Sequence, residues 1–187
     1  MKHFILLLIF ILLVNYVFTQ DYFVFDKAHI LSKNDTIECY VKIQGTYHSK
    51  FEYKLHKESE ILKASIDTVD YIITNYNSYK NIRIKNKYVM PRIVCWGKIN
   101  YYARIHYGPE NFIKGDHRNG ISRIRDWTTY YIEKQDSLIT MPKRKVGENI
   151  AHLFRDNKTS FKKVIKMNKL NNDKIIGIIE DYNNQMY

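Results

Sequence analysis

The chain has 187 residues and a formal net charge of +11, from 30 Lys and Arg against 19 Asp and Glu, with seven Gly, three Pro and two Cys. That length supports one domain burying roughly two-thirds of its unfolded surface, so neither a structural metal nor a mesh of disulfides is required. The charge favours acidic partners, which outside a cell means a glycosaminoglycan, an anionic lipid surface or a protein receptor rather than nucleic acid, although the A/T-rich codons of Lys, Asn, Ile and Tyr account for part of it.

Residues 1–19 read as a signal peptide. Lys2 precedes an apolar run from Phe4 to Val14, and Val17 and Thr19 stand where signal peptidase cuts. The run is shorter than the ~20 residues of a membrane-spanning helix, and Asn15 interrupts it. The expectation is therefore a secreted, extracellular protein whose mature domain is 20–187. Two sequons, at Asn34 and Asn157, agree with a glycoprotein. In an oxidising compartment Cys39 and Cys95 are expected to pair, which would stabilise the fold by about 4 kcal/mol in the chain-entropy model.

In chain order, the alternating segments around Ile37–Val41 and Phe51–Leu55, with Gln44-Gly45 between them, predict a hairpin. Ser59 followed by Leu62, Ile66, Val69 and Ile73 predicts a capped helix whose apolar stripe covers that sheet. From Ile93 through Tyr107 the β-branched and aromatic run reads as extended structure around Cys95. Gly108, Gly115 and Gly120 punctuate a loop, 108–120, that reads as a seam. A second helix is read from Ile121, Ile124, Trp127 (or Thr128), Tyr131 and Leu138. The basic stretch from Lys143 to Lys169 contains an amphipathic helix, with Phe161, Val164 and Ile165 on one side and Lys162, Lys163 and Lys166 on the other. The C-terminal segment reads as a helix capped by Asp173, or as a short buried strand over 175–179. Together these predict an α+β fold: a small antiparallel sheet in the N-terminal half, helices dominating the C-terminal half and one disulfide.

Catalytic signals are sparse. There is no phosphate loop, nucleophile elbow or His-Glu-x-x-His, and no catalytic residue, metal site or cofactor is assigned. Asp116-His117 in the glycine loop suits a solvated pair as well as an acid–base role. Glu148 and His152 share a helical face, but two ligands alone make a weak site. A set of Lys143, Arg144, Lys145, Lys162, Lys163 and Lys166 is the candidate anion-binding patch. The aromatic residues fit buried packing at least as well as carbohydrate stacking.

Gly147-Glu148-Asn149-Ile150-Ala151 resembles the Gly-Glu-Asn-[Leu/Ile]-Ala motif of the CAP superfamily, the sperm-coating-protein and venom-allergen-like secreted proteins. The resemblance covers the chain from Ile121 onward and implies a truncated member: of the family's four-residue His/Glu cavity only Glu148 carries over, so its metal site would be lost. By itself the fragment also reads as a loop glycine, an acidic residue at a helix start and a locally bonded amide. The expected function is a secreted, non-enzymatic binding protein at an extracellular or host surface; the alternative is a secreted hydrolase using Asp116, His117 or Glu148.

Overall fold

A computed structural model describes residues 25–33, 35–42, 50–106 and 127–185. The segments read as signal peptide, as the Gln44-Gly45 turn and as the 108–120 seam lie outside them, as do Asn34, Asp116 and His117.

The described chain is dominated by one antiparallel sheet of ten strands, not by helices. Its strands are β1 (Asp26–Ser32), β2 (Asp35–Lys42), β3 (Lys50–Lys54), β4 (Leu62–Ser65), β5 (Tyr71–Thr74), β6 (Ser78–Lys80), β9 (Arg92–Cys95), β10 (Ile99–His106), β11 (Trp127–Lys134) and β12 (Ser137–Thr140). They lie in the order β12-β11-β10-β9-β6-β5-β1-β2-β3-β4, while β7 (Ile82–Ile84) and β8 (Lys87–Val89) form a separate hairpin. Three α-helices follow among the described residues: α1 (Val146–Ile150), α2 (Lys158–Ile165) and α3 (Asn172–Asn184). The α+β expectation, with helices dominating after Gly120, is corrected to a mostly antiparallel β architecture with a short helical layer at the C-terminal end.

The β2–β3 pairing realises the hairpin read near the N-terminus. The helix read from Ser59 does not form. Its residues make β4, a 3-10 turn at Ile66–Thr68 and β5. Ser59 accepts a hydrogen bond from the His56 amide in a turn at 3.1 Å. Of the residues that carried the helical spacing, Ile66 and Val69 are buried at a bend, whereas Leu62 is half-buried and Ile73 is 38% exposed; Asn81 Nδ2 holds the bend by donating to Ile66 O at 2.7 Å and Val69 O at 2.9 Å. The described part of the second expected helix is likewise the β11–β12 hairpin, with Lys134 paired to Ser137 across a two-residue turn. Gln135 occupies that turn at φ 52°, a left-handed conformation that a side chain adopts at some cost. No glycine announced it.

The expected Cys39–Cys95 disulfide is absent; both cysteines are free and buried. Cys39 lies on β2 and Cys95 on β9, four strand steps apart in the sheet order, or about 19 Å along the sheet at the usual interstrand spacing. A disulfide needs Cα atoms within roughly 4.4–6.8 Å. The two thiols also belong to different cores. Burial pushes each up to about 11, away from the thiolate form.

The sheet is two half-sheets meeting at a thin seam. Between β6 and β9 only Tyr79 and Arg92 pair in register. The N-terminal half carries a small core around Ile30, Val41 and Ile72. The C-terminal half is covered on both faces, which explains why β10 reads as an apolar and aromatic run rather than an alternation. Tyr101 faces the helical layer, stacks on Tyr130 at 5.5 Å and donates to Asn172 Oδ1 at 3.0 Å. Its neighbour Tyr102 faces the opposite side and packs with Ile82, Val89 and Tyr131 beneath the β7–β8 hairpin.

Strand alternation then puts two adjacent β11 residues to different uses. Glu133 faces the seam and accepts from Lys80 Nζ of β6 at 2.8 Å, from Asn100 Nδ2 at 3.0 Å and from the Tyr102 hydroxyl. Lys134 faces the helices and donates to Asp156 at 2.8 Å and to Leu153 O at 2.6 Å, while Tyr182 donates to the same carboxylate at 2.7 Å. Burial alone would raise the Glu133 carboxyl, but the hydrogen bonds from Lys80, Tyr102 and Asn100 outweigh it and hold the group below its ordinary range. One strand therefore ties the half-sheets to each other and to the helical layer.

The helical layer closes the main core with Ile150, Phe154, Val164, Ile175, Ile179 and Tyr182, all fully buried; each such side chain contributes about 1.5–3 kcal/mol relative to exposure. The final segment forms a helix, α3, not a strand. Its cap is Asn171, which accepts from Lys174 N at 3.0 Å, and Asp173 sits in the first turn instead. Asn183 fastens α3 to the β9–β10 corner, accepting from Ile99 N at 3.0 Å and donating to Ile99 O at 2.9 Å. No helix among the described residues is long and apolar enough to cross a membrane.

Candidate functional site

The residues Lys143, Arg144 and Lys145 form the strap leading into α1, whereas Lys162, Lys163 and Lys166 lie on or just after α2. The fold brings these two runs together. Arg144 pairs with Lys169 in an isolated antiparallel bridge, Leu170 N donates to Lys143 O at 3.1 Å, and Gly147 N donates to Met167 O at 2.7 Å. The strap and the segment leaving α2 thus run side by side, and Lys143, Arg144, Lys145, Lys162, Lys163, Lys166 and Lys169 are all exposed.

Two of these cations are partly neutralised: Lys163 pairs with Asp181 at 2.8 Å and Lys145 with Glu148 at 3.5 Å. For Lys143, Arg144, Lys162, Lys166 and Lys169 no ion pair occurs among the described residues. Ile165, expected on the apolar face of α2, is instead 47% exposed amid this charge, and Ser160 takes a buried position beside Val164. The result is a cationic surface with an apolar side chain in its midst.

The Gly-Glu-Asn fragment has a local explanation in packing. A Cβ on Gly147 would stand 2.5 Å from Ile165 O and 2.6 Å from Val164 O, so only glycine lets α1 lie against the C-terminal end of α2. The Glu148 side chain is 69% exposed, and its one ion pair among the described residues is with Lys145. Asn149 Nδ2 donates to Lys145 O at 2.7 Å, steadying a lysine held at φ 53°. Glu148 and His152 are both exposed, and no group of three or more His, Cys, Asp or Glu among the described residues could hold a metal ion. Asn157 caps α2 by accepting from Ser160 N at 3.0 Å and donates its amide to Gln185 at 3.0 Å.

A second feature had no counterpart in the sequence reading. An open cleft of about 530 Å³ lies across β5, β6 and β9, between the Asn75–Asn77 turn and Trp96. Thr74 builds that turn: its Oγ1 accepts from Asn77 N at 3.0 Å and from Tyr76 N at 3.3 Å, and it donates to Asn77 O at 3.0 Å. The turn presents Tyr76 with 83% of its surface exposed. Across the cleft Trp96 is 58% exposed yet fixed in place, with the Tyr71 ring edge-on at 6.0 Å and Lys80 Nζ 5.8 Å from its centroid. A Thr-Asn-Tyr-Asn turn was the only available signal, and it became meaningful only when β9 delivered Trp96 opposite it.

No protein-family model, curated protein or solved structure matches the chain.

Proposed function

We propose that the protein is a secreted, non-enzymatic binding protein that engages a sulfated polysaccharide through the cationic surface formed by the strap into α1 and the exposed face and exit of α2. What supports this is the Arg144–Lys169 bridge, which brings two basic runs together into one surface on which, among the described residues, only Lys145 and Lys163 form ion pairs. Such a surface gains by releasing the counterions condensed on a polyanion, and its attraction to that polymer weakens as salt rises. A linear polymer also suits exposed cations carried on two segments that run side by side.

The test is heparin-affinity chromatography of two variants with identical net charge. One carries Lys143→Glu, Lys162→Glu and Lys166→Glu; the other carries Lys57→Glu, Lys87→Glu and Lys98→Glu, all exposed lysines elsewhere. The first is expected to elute at clearly lower salt than the second. Co-elution would show that retention reflects diffuse charge alone, and tighter binding to anionic vesicles than to heparin would move the proposal from a polysaccharide to a lipid surface.

A further inference from the structure

We propose that the cleft between the Asn75–Asn77 turn and Trp96 is a binding site for a neutral sugar ring, separate from the cationic surface. Three observations carry it. First, the ten residues lining the cleft include no charged side chain, although the chain carries 30 Lys and Arg. The two cations at its margin are already engaged, Arg92 Nη1 with Asn77 Oδ1 and Lys80 Nζ with Glu133, so the lining favours an uncharged ligand. Second, the walls combine aromatic rings with amides and hydroxyls. Tyr76 and Trp96 offer exposed ring surface for the C–H faces of a pyranose, while Asn75, Asn77 and Ser78 supply both donors and acceptors for its hydroxyls. Arg92 Nη1 already donates to Asn77 Oδ1 at 3.3 Å, which orients that amide and leaves its Nδ2 without a partner among the described residues. Third, the site is preorganised. The Thr74 hydroxyl locks the turn under Tyr76, and Tyr71, Lys80 and the bond from Asn183 Nδ2 to Trp96 O at 3.4 Å hold the opposite wall. A large aromatic ring left open to water on a rigid support loses little conformational entropy when a ligand stacks on it. The volume of about 530 Å³ falls in the range of small-molecule sites, and its openness suits one unit of a longer glycan.

A proline-rich peptide is the rival ligand, since such peptides also dock on aromatic-lined grooves. The sugar is favoured because the polar side chains between the rings match a ligand that carries hydroxyls all round its ring.

The experiment uses the full chain with Trp127→Phe, which leaves Trp96 as the sole tryptophan reporter. Its fluorescence is titrated with neutral oligosaccharides of glucose, galactose, mannose and N-acetylglucosamine, and with an oligoproline peptide. At least one oligosaccharide is expected to shift or quench the emission. Tyr76→Ala should weaken that response roughly tenfold, and Tyr76→Phe should restore it. Tyr76 supports nothing behind it, so an unchanged melting temperature in the Tyr76→Ala variant will certify its fold. Silence across the oligosaccharide panel up to about 10 mM would overturn the proposal, because weaker binding than that has no specificity to explain. A response that survives Tyr76→Ala undiminished, or one given only by oligoproline, would overturn it equally. Heparin elution should be the same for the wild-type and Tyr76→Ala chains, so this site and the cationic surface succeed or fail separately.

Discussion

Replacing Gly147 by alanine separates two meanings of the Gly-Glu-Asn fragment. In an unconstrained helix the change would stabilise by about 1 kcal/mol through helix propensity. Here the new methyl would stand 2.5 Å from Ile165 O, 2.6 Å from Val164 O and 2.7 Å from Ile165 C, all backbone atoms that cannot rotate aside. To reach an ordinary contact, α1 and α2 must separate by roughly 1 Å. That loosens Ile150 and Val164, both fully buried, and stretches the 2.7 Å bond from Gly147 N to Met167 O. Overpacking of this kind costs about 1–3 kcal/mol and a weakened hydrogen bond about 0.5–1.5 kcal/mol. After the propensity gain, a net loss of about 2 kcal/mol is expected, or a fall in melting temperature of roughly 4–8 °C for a domain of this size. Glu148→Ala, which removes only an exposed ion pair, should change stability by less than about 0.5 kcal/mol. Thermal and denaturant unfolding monitored by circular dichroism would measure all three proteins. If Gly147→Ala melts with the wild type, or if Glu148→Ala costs as much, the packing account of the fragment is wrong.

Two further outcomes follow from the polar ties and the thiols. The carboxylates Glu133 and Asp156 are both held below their ordinary values of 4.5 and 3.8, so the unfolded chain binds more protons than the folded one in mildly acid solution. Their contribution is complete above those ordinary values and is lost as pH falls through the lower folded ones. The melting temperature should therefore drop steeply below about pH 4.5, and Glu133→Gln should flatten that decline; an unchanged slope would mean that the seam network contributes nothing. Both cysteines should resist alkylation in the native protein and react fully once it is unfolded without reductant, whereas a crosslinked species by mass spectrometry would contradict the strand order.

Local signals in the sequence were reliable where one neighbour decides the outcome. The β2–β3 hairpin and the extended segment around Cys95 were legible because alternation and β-branched runs are written into adjacent residues, whereas the C-terminal segment left helix and strand both open and its helix is capped by Asn171, not Asp173. The errors arose where distant chain supplied the deciding contact. The stretch from Leu62 to Ile73 has helical spacing, but Asn81 pins a bend in its middle and β1 and β3 take the flanking residues as sheet partners. The segment from Trp127 to Thr140 likewise depends on pairing along the whole of β10 and on a left-handed glutamine that carries no turn signature. Propensity is a weak prior against a complete ladder of hydrogen bonds and two buried faces.

What the sequence determined alone was therefore chemistry: a strongly basic chain with cations concentrated between Lys143 and Lys169. Position was decided by tertiary structure. The thiols were assigned to separate cores, Gly147 was made a point of helix contact, the two basic runs were bridged by Arg144 and Lys169, and Trp96 and Tyr76 were brought to line one cleft. The physical reason is common to all of these. Residue types fix which interactions a chain can make, but the contacts named here join residues distant in sequence, and only the register of the strands and the packing of the helices on them selects which of those residues meet.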